Sequence, residues 1–486
     1  MGMSVGFEFE RRVEFTPDRA SEILREIPAA PGVVCLRGAE ELSQPYLTRA
    51  ADVRRRLRRL LDSPDALDEH GRPVLSKRLN LRDRVRWIAW TRTGSEFESA
   101  LVLYCAARAS FGPAEARRRL RLHAPFLLRM AMSNEHPRVY VTNRLNKKSL
   151  AESYGPFQSR AAAERYCEAV LDLFKLRRCW EDLEVSPQHP GCAYGEMKMC
   201  MEPCKGACTK EEYAAEAERV RAFLETNGES MLAELAAQRD RASEAMDFEA
   251  AAAVHKQWEK VKAATQLASK IVQPLTKLRA LVVQAAAPTA EESARDAANV
   301  FAFEQGRIAG PERLSTLGVR AVREQTAVGS SLFAQPLMLS AIPLEETAGA
   351  ENDGVPTALS PEERARAAIE RLEERVREAG APEIIDERCD YLALLRRWYY
   401  RPEKQRAGAI LFPNPDGAWP IRRLLNAATR EALGPPREAA PVDREAAKEM
   451  KTRVLHEGRE GVERVVPVVP KRGRRKTLLP KDVIES

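Results

Sequence analysis

Five of the nine cysteines in this chain of 486 residues fall within thirty positions, at Cys179, Cys192, Cys200, Cys204 and Cys208. Thiolates are soft ligands, so a crowd of them on one stretch suits a soft metal centre. The first four are separated by twelve, seven and three residues. Wide, unequal gaps fit a cluster whose corners lie several ångströms apart, whereas structural zinc usually takes C-x2-C knuckles, which this stretch lacks. Spacing alone leaves iron–sulfur, zinc and unliganded thiols open. Cys208 is a fifth candidate, a spare thiol or a competitor for one corner. Cys35, Cys105, Cys167 and Cys389 sit in apolar patterns and read as core residues.

The compartment bears on that chemistry. The N-terminus MGMSVGFEFERR has no apolar signal core, and no run approaches the roughly 20 apolar residues that span a bilayer. A cytoplasmic protein is expected, with reduced thiols that favour metal over disulfides. The net charge of +7 is modest but uneven. Arginines bunch at Arg54, Arg55, Arg56, Arg58 and Arg59, at Arg117, Arg118, Arg119 and Arg121, and in KRGRRK at 471–476. Such bunching suits a polyanion such as nucleic acid, and equally suits solvated helix faces with a basic tail.

The elements that must position these groups read as a multi-domain α/β chain. PGVVCL at 31–36 is β-prone, and PYLTRAADVRRRLRRLL passes from a short strand into an Arg-rich helix. Ser95 with Glu98 three residues on predicts a capping box opening SEFESALVLYCAARASF. PRVYVT at 137–142 reads as a strand, and a helix from about Ser159 runs toward Cys179. The cysteine stretch is then a loop stapled between helices. From 211 to 270 the pattern is helical with breaks at TNGES and MDFE. Asp247 caps a helix on which Phe248, Ala251, Ala252, His255 and Trp258 share a face, which makes a hairpin. LRALVVQ and NVFAFEQGRIAG read as two strands, ETAGAENDGVPTALSPEE as a linker, 361–378 as a helix and AILFP as a strand. After Pro415 a Pro-rich, charged and poorly ordered tail is expected.

YGPFQSRAAAERYCEAVLDLFKLRRC followed by C-x7-C-x3-C resembles the cysteine segment of the UvrC family, a subunit of the bacterial UvrABC excinuclease. The resemblance implies a [4Fe-4S] cluster on Cys179, Cys192, Cys200 and Cys204. PGVVCL and PYLTRAADVRRRL are similar to the first strands and helix of a GIY-YIG nuclease domain. LAELAAQRDRASEAMDFEAAAAVHKQW is similar to the UVR motif, which implies docking on UvrB through Phe248, Glu249, Ala252 and Trp258. LALLRRWYYRPEKQRAGAILFP resembles the stretch before the second UvrC nuclease domain. The implied organisation is a GIY-YIG-like domain at 28–110, an iron–sulfur segment at 111–215, a UVR-like hairpin at 216–270, a small α/β segment at 271–415 and a basic tail at 416–486.

The nuclease chemistry is where the pattern departs from the family. Phosphodiester cleavage of this type uses a tyrosine, cations that neutralise the phosphate and a glutamate that holds a divalent metal. The resemblance carries Tyr46, Arg49 and Arg54 over as catalytic candidates. The first motif's tyrosine falls on Val34, the second's glycine on Thr48, and the metal glutamate on Leu103. Glu96 lies two helical turns before Leu103, or ~10 Å. Leucine cannot ligate magnesium. A second, RNase H-like nuclease domain is not expected from the residues after AILFP. The expectation is therefore a UvrC-like repair protein that binds damaged double-stranded DNA with UvrB through a weakened or inactive nuclease site. Arg55, Arg58, Arg117 and Arg118 are its candidate DNA contacts. Beside it stand an active GIY-YIG endonuclease making a single incision, and a redox-responsive iron–sulfur scaffold.

Overall fold

The structure is a computed structural model that describes residues 7–39, 44–62, 79–180, 183–289, 296–317, 319, 359–402 and 405–433, with the backbone of 455–457 and 463–465. The chain divides into two units, 1–434 and 435–486. In the second, β13 (Leu455–Glu457) pairs antiparallel with β14 (Glu463–Val465). The expectations for the linker up to residue 358, for KRGRRK and for the order of the tail lie outside the described residues.

The first sheet of unit one combines β1 (Arg11–Glu14), β2 (Gly32–Arg37), β3 (Tyr46–Ala50) and β4 (Trp87–Arg92) in the order β1-β4-β2-β3, all antiparallel. One face is covered by α1 (Ala20–Glu26) and α2 (Val53–Leu61). The arginine-rich sequence of α2 is helical because Asp52 caps it, accepting the Arg55 N–H at 2.8 Å, and because Val53, Leu57, Leu60 and Leu61 recur on one face. Those four are buried, and each burial contributes about 2 kcal/mol. Leu57→Ala would cost about 3 kcal/mol.

The long helix α3 (Glu96–Phe111) turns its other side to a different core. Phe97, Leu101 and Tyr104 pack in one cluster with a second sheet and with helices from later in the chain. That sheet runs β6-β5-β7-β8, from β5 (Phe126–Ala131), β6 (Arg138–Thr142), β7 (Ser153–Phe157) and β8 (Gln273–Pro274). Between α3 and β5 lies α4 (Pro113–Leu120), and after β7 comes α5 (Arg160–Leu171), capped by Ser159. Among its described residues the cysteine loop holds one short turn of α-helix, α6 (Ala193–Glu196), before α7 (Lys210–Thr226). α7 begins with a complete capping box between Thr209 and Glu212.

The helical hairpin is α8 (Glu229–Glu244) against α9 (Phe248–Thr265). Asp247 caps α9, its side chain accepting the Ala250 N–H at 3.0 Å. Leu235, Val261 and Ala264 are the hairpin's buried residues. A third sheet, β11-β10-β9-β12, is built from β9 (Ala280–Ala285), β10 (Ala297–Glu304), β11 (Arg307–Ser315) and β12 (Ala409–Leu411). Helices α10 (Pro361–Ala379) and α12 (Ile421–Leu433) cover it, and α11 (Ile385–Tyr399) returns to the central core.

Three sequence expectations are corrected. Ser95 accepts the Glu98 N–H at 3.1 Å, but the Glu98 carboxylate turns to the Gly94 N–H, so the capping box is only half made. NVFAFEQGRIAG is two strands, because Gln305 and Gly306 at φ 52° and 76° form a two-residue turn that fits the strand twist. The tail does not begin at 416. Pro420 precedes α12, whose Leu424, Leu425, Ala427, Ala428 and Ala432 are buried at helical spacing. Gly94 has its own reason: a Cβ there would lie 2.2 Å from the Ala285 carbonyl oxygen.

Candidate functional site

On β3, alternation sends Tyr46 and Arg49 to opposite faces of the sheet. The Tyr46 hydroxyl lies toward α2 and accepts from Arg56 at 2.8 Å. Arg49 lies toward α3 and donates to Glu96 at 3.2 Å. Arg54 donates to the Ile27 carbonyl at 2.6 Å and ties α2 to the end of α1. The three catalytic candidates are thus each engaged by a different partner rather than converging on one point. Val34 is fully buried in the core under the sheet. Arg55 and Arg58 project into solvent from α2, and Arg55 borders a shallow groove of about 390 Å³ with Arg49, Arg56 and Arg59.

A second cavity, of about 210 Å³, opens between α3, α4 and α11. Leu103 lines it together with Glu96, Arg49, Arg119, Arg397 and Arg401. Arg401 grips both oxygens of Glu96 and, with Arg49, holds this carboxyl below the usual carboxylate range. Burial, and then the like charges of Arg396, Arg49 and Arg401, lower the pKa of Arg397. Arg397 donates to the carbonyls of Leu120 and Arg121 at the end of α4, where the helix dipole favours a cation. Glu115 is gripped by Arg118 and Arg119, and its carboxyl falls to about 2. The cavity therefore offers cations to an anion, while its Glu96 is already neutralised by two guanidinium groups. Sequence reasoning missed Arg397 and Arg401. Arg397 sits in the last turn of α11 and Arg401 just beyond its end, so periodicity alone gave no signal that the two share a cavity.

Arg117 and Arg118 part company. Arg117 donates to Asp390 at 2.7 Å and to Asp386 at 3.1 Å, joining α4 to α11, and Tyr104 adds a hydrogen bond to Asp390 at 3.0 Å. Arg118 stays exposed beside Glu115. On the hairpin, Phe248 is 69% exposed and Glu249 and Ala252 face solvent. Trp258 is half-buried, stacked on His255 at 5.9 Å with the Lys262 ammonium over its ring.

The cysteine loop is held by backbone bonds. Tyr213 of α7 accepts the Arg177 N–H at 3.0 Å and donates to the Pro137 carbonyl at 2.9 Å, fixing the approach to Cys179. Ser186 N–H donates to the Cys204 carbonyl at 2.9 Å, and Cys192 precedes the first turn of α6. Burial pushes the Cys200 thiol up to about 11, the Glu202 N–H opposes this, and the negative charges of Cys179, Cys192 and Cys204 add to it. Among the described residues no three His, Cys, Asp or Glu side chains close on a single ion. The Cys208 thiol is raised by burial, then by Glu212 and Cys204. Cys105, Cys167 and Cys389 have thiols pushed up by burial to about 11, 12 and 11, as core residues.

The thiol-rich loop between α5 and α7 and the small antiparallel sheet it is fastened to lie largely within residues 126–223, which match the family model of the UvrC/Cho excinuclease middle domain. The chain is UvrC-like. It is 31% identical over 211 residues to UvrABC system protein C of Kocuria rhizophila, covering 38% of this chain and 30% of the relative. For the Lachnospira eligens protein of that name the figures are 28% over 236 residues, 48% and 36%. For the Haemophilus ducreyi protein they are 25% over 293 residues, 60% and 45%. The matches thus span between 30% and 45% of these relatives' length. No solved structure matches the chain. Among the described residues no helix is long and apolar enough to cross a membrane.

Proposed function

We propose that this chain is a nucleotide excision repair protein that binds damaged DNA together with UvrB and does not itself cut it. The observation that carries the reading is the setting of Leu103. It lines the arginine-rich cavity at the position where the resemblance expects a metal-binding glutamate, and Glu96 in the same cavity is taken up by Arg49 and Arg401. A carboxylate neutralised by two guanidinium groups is a poor magnesium ligand. The cations remain suited to phosphate.

The thiols suit a resident [4Fe-4S] cluster. The resemblance implies four of these thiols as its ligands, and the charges of Cys179, Cys192 and Cys204 all act on Cys200. Cys179, Cys192, Cys200 and Cys204 would hold it, and the Glu202 N–H directed at Cys200 Sγ, 3.4 Å away, favours a thiolate there. Such a cluster supplies structural cross-linking of the loop and, where solvent reaches it, one-electron redox chemistry. The hairpin tip with exposed Met246 and Phe248 is the surface through which UvrB would dock.

Incubation with UvrA, UvrB, magnesium and a lesion-bearing duplex tests the reading. Binding without incision is expected. Incision that disappears in Tyr46→Phe would overturn it in favour of an active nuclease.

A further inference from the structure

β6 is an edge strand, and its residues alternate between the core and an outer face. Val139 is buried, while Arg138 and Tyr140 stand on the outer side. Arg129 of β5, the ladder partner of Tyr140, joins them, its charge matched by Glu152 at 3.0 Å. The result is a ladder of alternating guanidinium groups and rings. Arg129 lies 5.9 Å from the Tyr140 ring, Arg138 lies 5.2 Å from the same ring, and Arg138 lies 5.0 Å from the ring of Trp180. Trp180 ends the ladder and is 66% exposed.

That exposure is not slackness. Arg138 donates to the backbone carbonyl of Trp180 at 2.8 Å and of Cys179 at 3.3 Å, and the Tyr140 ring meets Trp180 edge-on at 5.6 Å. The indole is held in place from one side and open on the other. A clamp serving only to fasten the cysteine loop would be complete with the two backbone bonds and would not need a large ring turned to water.

The charge of the strand and the loop that follows it is one-sided. From Pro137 to Ala151 the chain carries Arg138, Arg144, Lys147 and Lys148 and no carboxylate. Arg144, Lys147 and Lys148 are exposed on the loop that follows β6. Cations along an edge strand and the loop after it, with a fixed, open aromatic ring at the strand's start, form a combination that holds single strands: phosphates meet the cations and unpaired bases stack on the ring. Duplex DNA keeps its bases stacked inside and offers nothing to Trp180.

We propose that the outer face of β6, with Trp180 as its platform, binds single-stranded DNA by base stacking. This site is separate from the arginine cavity and from the hairpin tip, and requires neither UvrB nor incision.

The experiment is fluorescence anisotropy of a short oligothymidylate and of a duplex of equal length, with wild type, Trp180→Ala and Trp180→Phe. Trp180→Ala should weaken single-strand binding about tenfold and leave duplex binding unchanged, while Trp180→Phe restores most of the loss. Lys147→Ala with Lys148→Ala should lower the salt dependence of single-strand binding by about one unit of log–log slope. In parallel, an oligonucleotide carrying 2-aminopurine should be quenched by wild-type protein through stacking. Absence of quenching with the wild type, equal single-strand affinity in Trp180→Ala, or equal loss on single strand and duplex would each overturn the proposal.

Discussion

Glu98 and Asn299 join the start of α3 to the middle of β10: the Asn299 side-chain amide donates to both oxygens of the Glu98 carboxyl at 3.2 Å. The Gly94 N–H reaches the same carboxyl at 2.7 Å, yet Glu98 is 5% exposed, and burial lifts its pKa from 4.5 to about 7. Between these two values the folded chain holds a proton that the unfolded chain has released. Stability from this group is therefore full below pH 4.5, falls as pH rises, and reaches its minimum above about 7. The difference amounts to about 3 kcal/mol. Glu98→Gln keeps an acceptor for Gly94, with the Asn299 amide turned to offer its oxygen, and removes the titration. Urea unfolding at pH 5.5 and 8 should show the variant losing less stability than wild type between the two. Equal losses would rule out Glu98 as the titrating group.

The buried pair between α4 and α11 makes a stability prediction that separates two neighbouring arginines. Asp390 is 2% exposed, and Arg117 and Tyr104 both bond to it. Arg117→Ala strands that carboxylate and should cost about 3 kcal/mol. Replacing both Arg117 and Asp390 by apolar residues should cost less than the single change, since no charge is left unpaired. Arg118, exposed beside Glu115, should change stability by under about 0.5 kcal/mol when made alanine. Thermal melts of the variants check all three.

How much of this was legible beforehand depended on whether the deciding interaction is local. The helices of the hairpin, the caps at Ser159 and Asp247 and the strand–helix passage into α2 follow from side-chain period and short-range hydrogen bonds. The crowding of cysteines was also visible, since the residue type is rare. The cavity was not. Arg401 is 305 positions from Glu96, and nothing near either residue announces the pair. The same holds for Arg138 and Trp180, 42 positions apart, whose meeting depends on how the cysteine loop folds back on β6. The split of Tyr46 from Arg49 needed only strand alternation, yet the motif resemblance drew attention to their proximity in sequence instead of their faces.

For the proposed cluster, the two kinds of cysteine should behave differently. Cys200 is affected by all three of Cys179, Cys192 and Cys204, whereas Cys208 is affected only by Cys204 among the thiols. Anaerobically purified wild type and Cys208→Ser should both be brown, with iron and sulfide in similar amounts, and Cys200→Ser should lose the visible band and most of its iron. Zinc in a colourless wild-type protein would reject the iron–sulfur assignment.

The arginines of α2 should also divide by function. Arg54 is half-buried and donates to the Ile27 carbonyl, so Arg54→Ala leaves that oxygen without its partner and should lower stability by about 1–2 kcal/mol. Arg55 and Arg58 are exposed, and their removal should hardly affect folding. If they meet DNA phosphates, Arg55→Ala with Arg58→Ala should weaken duplex binding alike for all sequences and reduce the log–log salt slope by about two. Titrations of the double variant at several salt concentrations give that slope. A slope equal to that of wild type would leave these two arginines as ordinary solvated side chains and move the phosphate contacts elsewhere on the chain.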